Sequence, residues 1–207
     1  EGCAGTALAI KEITNRIDRF SVPAPIGIGF SLGAMLLMAA EIERPGSFSK
    51  LVLIGATPTF VRREGFSEAK PPALVRRMAV DMKAEPEETL ARFRNLIFTD
   101  AELKGKYAKE FFKGLKGGGG KGADFASLTA ALATLASLDL RAGLAEIKIP
   151  TLIVHGERDA VVPVEAGRYL KDHIPDASFC SFESTGHAPM LTRPEEFNSI
   201  LSDFLGL

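Results

Sequence analysis

Residues 26–40 read IGIGFSLGAMLLMAA, with one serine, Ser31, between the glycines at 29 and 33. The first five residues read as a short strand. Residues 32–40, rich in alanine and leucine, read as a buried helix. The pentapeptide GFSLG fits G-x-S-x-G and lies in the context that motif requires, strand before and helix after. There the serine takes a strained backbone conformation that projects its hydroxyl into a cleft. Glycines two positions to either side remove Cβ atoms that would clash in so tight a turn. The following helix aims its first N–H groups at the place where an oxyanion develops. Five residues alone are common by chance. The competing reading is a small residue in a tight strand–helix connection.

Outward from this point the chain alternates. Residues 7–20 place Leu8, Ile10, Ile13 and Ile17 at helical spacing, with charges between them, and Pro23 and Pro25 end the run. LVLIG at 51–55 is an apolar strand of the kind buried on both faces. Helix, strand, helix, strand indicates a parallel sheet with crossover helices. From about Thr57 to Ala142 strand signals vanish. Residues 71–98 and 124–140 read as amphipathic helices, the second capped by Asp124. Residues 113–122, KGLKGGGGKG, read as a low-complexity loop. The alternation then returns: strand 151–155, helix 163–174, strand 177–183, loop 184–190, and a closing helix from 193 with Pro194 in its first turn. The expected architecture is an α/β core, residues 1–58 and 143–207, interrupted by an all-helical insertion, residues 59–142.

With 46% hydrophobic and 25% charged residues, the 207-residue chain can bury a core and remain soluble. A formal net charge of −1 argues against nucleic acid as the main partner. No apolar run is long enough to span a membrane. Two cysteines, Cys3 and Cys180, are too few for a disulfide framework and lack metal-ligand spacing, which makes a reducing, cytoplasmic setting the default.

A serine hydroxyl near neutral pH needs a base, and the base needs a carboxylate to fix its tautomer and stabilise its cation. HGERDAVVP places Asp159 just past strand 151–155, and STGHAP places His187 in the loop after the last strand. The order Ser31, Asp159, His187, each on a loop after a strand, makes these three the candidate triad. Glu157 is a rival to Asp159, which is otherwise a cap or turn residue. Of the remaining histidines, His173 reads as solvated on a polar helix and His155 as structural or pocket-lining.

Two features of the insertion bear on ligands. KGGGGKG is not a phosphate loop: position 115 is Leu, Gly122 follows the lysine, and no strand precedes it. Residues 61–121 carry 14 Lys and Arg against 9 Asp and Glu. This net basic segment reads either as a solvated helical face or as a lid that recruits an acidic partner.

With these motifs in place the chain resembles the α/β-hydrolases that carry a helical cap. More narrowly it resembles the pimeloyl-acyl-carrier-protein methyl ester esterases of biotin synthesis. The matching stretches are GFSLGAMLLMAAEIERPGSFSKLVLIGATPTF, ALVRRMAVDMKAEPEETLARFRNLIFTD, LASLDLRAGLAEIKIPTLIVHGERDAVVP and GHAPMLTRPEEF. The resemblance implies a cap that binds an acidic carrier protein through arginines, with Arg62, Arg63, Arg76, Arg77, Arg92 and Arg94 as candidates. It implies an apolar acyl channel, with Phe93, Phe98, Phe111 and Phe112 as candidates. The N–H of Leu32, after the nucleophile, is the expected oxyanion donor. It also implies several earlier strands and a His-Gly loop bearing a second donor. The opening EGCAGTALAIKEITNRIDRF instead matches the helix just before the nucleophile strand. The expectation is therefore a truncated or processed chain.

The expected activity is ester hydrolysis through an acyl-enzyme, without metal or organic cofactor. The expected substrate is a small methyl ester presented by an acidic acyl carrier protein, and the expected state is a monomer. Rivals within the class are a general short-chain carboxylesterase, a cofactor-free perhydrolase and a carbon–carbon bond hydrolase. From another class, the rival is a non-catalytic ligand-binding protein on a hydrolase scaffold.

Overall fold

The structure, a computed structural model, describes residues 2–19, 24–117 and 125–207. Its centre is a parallel sheet in the order β1-β2-β3-β4, made of Ile26–Phe30, Lys50–Ile54, Thr151–Gly156 and Ala177–Phe182. Phe30 pairs with Ile54, Leu53 with Ile153, and Val154 with Cys180. All four strands therefore deliver their C-terminal ends to one side, where a parallel sheet presents its loops.

Successive residues of a strand face opposite sides. Leu51, Leu53 and Ile153 enter one core with helices α1 (Gly2–Arg19), α2 (Leu32–Glu43) and α8 (Val164–His173). Val52, Ile54, Leu152 and Val154 enter a second core with Phe197, Ile200 and Phe204 of α10 (Pro194–Leu205), which follows the one-turn α9 (Pro189–Thr192). Among the described residues β1 is hydrogen-bonded on one side only, to β2, and its Ile26 and Ile28 are 43% and 51% exposed.

Between β2 and β3 the described elements are all helical: α3 (Pro72–Ala84), α4 (Pro86–Leu96), α5 (Asp100–Leu103), α6 (Lys106–Gly117), α7 (Phe125–Ser137) and a 3-10 turn, Arg141–Glu146. The outgoing and returning chains run side by side, with Leu140 N–H donating to the Pro58 carbonyl and Thr59 bridging Asp139. Arg63 ties this neck together. Its guanidinium donates to the carbonyls of Ala136 and Ser137 and lies 3.5 Å from Asp139.

Two expectations are corrected here. Residues 71–98 form two helices rather than one continuous run, because Pro86 lacks an N–H and restricts Glu85, so α3 stops and α4 begins at N1. Residues 113–117, expected in a loop, belong to α6. The rest of the glycine run, Asp124, Phe20 at the end of the expected first helix, and Pro23, one of the two prolines expected to end it, lie outside the described residues. No described helix is long and apolar enough to cross a membrane.

Candidate active site

Ser31 sits at the junction of β1 and α2 with φ 53° and ψ −118°. That left-handed value is costly for a residue with a Cβ. It is held there because the Ser31 N–H continues the β1–β2 ladder to the Ile54 carbonyl at 2.8 Å while its own carbonyl starts α2. The hydroxyl makes no capping bond. Leu32 opens α2, so its N–H is one of those the helix leaves unused.

Gly29 fits the clash argument: a Cβ there would lie 2.6 Å from the Ala34 backbone, so glycine lets α2 pack directly on β1. Gly33 does not. A Cβ there meets nothing within 4 Å, because α2 turns that position outward, and the expected clash is absent.

Asp159 and His187 meet as the core of the site. The carboxylate can only accept, so His187 Nδ1–H donates to Asp159 Oδ2, at 2.6 Å. Both are buried, His187 at 1% exposure and Asp159 at 8%. His187 Nε2 is then the basic nitrogen; it is buried and has no partner among the described residues. The imidazole packs on Phe30, the residue before Ser31, with ring centroids 4.7 Å apart. It also covers Gly55, where a Cβ would lie 2.8 Å from the ring and where φ is +57°. Phe30 and Gly55 flank the Ser31 turn, so the imidazole and the serine share one end of the sheet.

Asp159 builds its own loop. Its Oδ1 accepts from the N–H groups of Val161 and Val162, both at 2.8 Å. Its Oδ2 faces a second histidine, His155, 3.3 Å away, whose Nε2–H also donates to the Val162 carbonyl at 2.9 Å. Burial alone would push this carboxyl up. Hydrogen bonds from His155 and His187 outweigh burial and hold it down at about 2, against an ordinary 3.8. Such a group stabilises the fold above the unfolded-state value, near 4, and that contribution, about 2 kcal/mol, is lost as pH falls through 2. Denaturant melts between pH 6 and pH 2 are expected to show this loss, and Asp159→Asn to flatten it.

Glu157, the rival carboxylate, is exposed and accepts from the Ser181 hydroxyl. His173 is also exposed and stacks on Tyr169. Lys70 was missed. Its half-buried ammonium donates to the Ala160 carbonyl at 2.7 Å, and burial pulls its pKa down against the opposing charge of Asp159.

Of the four candidate phenylalanines, Phe98, Phe111 and Phe112 form one edge-to-face cluster. Phe30, Ala188 and Met190 join it, which places it against the His187 loop. Phe93 packs against the same cluster and also lines a cavity of about 210 Å³ between α3 and α4, with Leu74, Met78, Leu96 and Val161.

The arginines do not form one patch. Arg77 and Arg92 lie at that cavity with Asp81 between them, at 2.7 and 3.7 Å. Arg76 lines a separate cavity between α3 and α7. Arg62 donates to the Ser67 carbonyl, Arg63 is committed to the neck, and Arg94 is half-buried on α4.

Comparison with known proteins adds kinship to this geometry. Residues 4–200 match the model of the alpha/beta hydrolase family. The pimeloyl-[acyl-carrier protein] methyl ester esterase of Chromobacterium violaceum is 31% identical over 186 residues, covering 90% of this chain and 71% of the relative. The enzyme of the same name from Nitrosomonas europaea is 30% identical, over 83% of this chain and 67% of the relative. Among solved structures, an esterase from Exiguobacterium antarcticum superposes with a TM-score of 0.84 at 25% identity, covering 96% of this chain and 72% of that one.

Proposed function

Because the chain belongs to the α/β-hydrolase family, we propose that it hydrolyses a carboxylic ester through an acyl-enzyme formed on Ser31. The observation that carries this reading is the buried His187–Asp159 hydrogen bond of 2.6 Å beside a serine held at positive φ. Ser31 Oγ attacks the ester carbonyl. His187 Nε2 takes its proton and returns it to the leaving alcohol. Asp159 fixes the tautomer and stabilises the imidazolium, and the Leu32 N–H steadies the oxyanion. Water then cleaves the acyl-enzyme with the same base. The helical segment 59–142 serves as a cap over the C-terminal ends of the strands.

The substrate we propose is a methyl ester of an acyl chain held on an acyl-carrier protein, as the names of the Chromobacterium and Nitrosomonas relatives indicate for those enzymes. The net basic cap supports it. So do Arg77 and Arg92 beside an apolar cavity that Phe93 lines near the Asp159 loop. Acyl length is tested with p-nitrophenyl esters of graded length, and the carrier by comparing methyl pimeloyl carrier thioester with a free methyl ester of the same acyl chain. The carrier-bound ester is expected to show the higher kcat/KM at low salt, falling as salt screens the cap. Equal rates with and without the carrier, indifferent to salt, would leave a generalist carboxylesterase.

A further inference from the structure

The loop that carries His187 is clamped from two sides. On the core side it crosses the end of β3, where a Cβ on Gly156 would collide with the carbonyl oxygens of Gly186 and Thr185. On the cap side a Cβ on Gly186 would meet the Ile97 carbonyl at 2.6 Å and Phe98 Cα at 3.2 Å. Backbone lies against backbone on both faces. The His187 N–H donates to the Ile97 carbonyl at 2.8 Å.

Glu102 of α5 completes the cap side. Its Oε2 accepts the N–H of Thr99 at 2.8 Å and the N–H of Gly186 at 3.0 Å. Its Oε1 accepts the hydroxyl of Thr192 at 2.7 Å. The first of these bonds belongs to a capping box with Thr99, which is all that the four-residue α5 needs. The other two reach across 84 and 90 residues to the two ends of the segment that contains His187. A carboxylate that accepts from several donors is a strong anchor, since each bond to an ionised acceptor is worth more than a neutral one.

We infer that Glu102 is a positioning residue for the base. It fixes the Gly186–Thr192 segment against the cap, and thereby keeps the His187 imidazole in line with Asp159. The inference rests on the reading of His187 as the base. A cap displaced at α5 takes the base with it, so this contact makes turnover depend on cap position. Because Glu102 touches the loop and not the substrate, its loss acts on kcat rather than on KM.

The variants are Glu102→Ala, Glu102→Gln and, as a milder cut, Thr192→Val. In the glutamine variant the amide oxygen can accept from Gly186 and Thr99 while the amide NH2 donates to the Thr192 hydroxyl, which turns its proton toward the Ala188 carbonyl. Two readouts apply. One is p-nitrophenyl ester kinetics. The other is the low-field proton resonance of His187 Nδ1–H, assigned by its loss in His187→Gln and read without turnover. Glu102→Ala is expected to lower kcat roughly tenfold with KM within about twofold, and to broaden or erase the resonance. Glu102→Gln is expected to restore both, and Thr192→Val to fall between. Wild-type kinetics and a wild-type resonance in Glu102→Ala overturn the inference, as does an effect confined to KM or a glutamine variant as impaired as the alanine one. A wild-type protein that shows the resonance but hydrolyses no ester contradicts the esterase reading, while the resonance of the variants still decides the role of Glu102.

Discussion

Replacement of Ser31 by alanine is expected to lower kcat for ester hydrolysis by roughly 10⁴-fold or more, with the fold intact. The two halves of that statement have separate causes. Without Oγ there is no acyl-enzyme, and what remains is whatever the Leu32 N–H and substrate binding contribute to attack by water. The hydroxyl makes no capping bond in the structure, so its removal leaves no hydrogen-bond partner stranded. Alanine and serine both carry the Cβ that makes φ 53° costly, so the strain at the turn is unchanged. Ser31→Gly sharpens the contrast. It relieves that strain and is expected to be about 1 kcal/mol more stable than the parent while equally inactive. Thermal melts beside initial rates read both halves in one experiment. Retention of substantial activity by Ser31→Ala would move the nucleophile elsewhere.

Asp159→Asn is expected to cost about 10⁴-fold in kcat with little change in KM. The geometry dictates how. Val161 and Val162 both donate to Oδ1, so the asparagine oxygen is held on that side. Its NH2 then points at the position now occupied by Oδ2, toward two nitrogens that donate at present, His187 Nδ1 and His155 Nε2. His187 can accept from the amide only by moving its proton to Nε2, which removes the lone pair that would deprotonate Ser31. His155 cannot make the matching change without losing its bond to the Val162 carbonyl. One substitution thus inverts the tautomer of the base and sets donor against donor in a buried site. Rates and the His187 resonance are the measurements; an asparagine variant within tenfold of the parent would show that the carboxylate has no such role.

What the sequence made legible follows from how local each signal is. The strands at 26–30 and 151–156 announce themselves by apolar runs between turn residues, and the Ser31 turn by a pentapeptide whose neighbours agree with it. The sequence leaves Glu157 as a rival to Asp159, and the fold separates the two: Asp159 is turned inward by its own loop, while Glu157 points to solvent and to Ser181. The contacts that hold the His187 loop were not legible. Glu102 is visible in sequence as the fourth residue of a Thr-x-x-Glu capping box, yet nothing local connects it to a glycine 84 positions away. Gly55 and Gly156 likewise read as ordinary strand-end glycines until His187 and its loop are seen lying on them. Gly33 is the reverse case, a motif residue for which the clash argument fails. Charge counting found a net basic helical segment but not its pairings. Arg92 lies within 4 Å of Asp81, Glu85 and Glu88, so part of that excess is already spoken for.

The central claim is that Ser31 is the one activated nucleophile and that His187 activates it. The most direct measurement is the intact mass and peptide map of the full chain after exposure to a fluorophosphonate, which forms a covalent bond only with an activated serine. The account predicts one adduct, on the peptide containing Ser31, absent from Ser31→Ala and formed far more slowly in His187→Gln. Labelling at another residue, or a folded protein that takes no label at all, would contradict it.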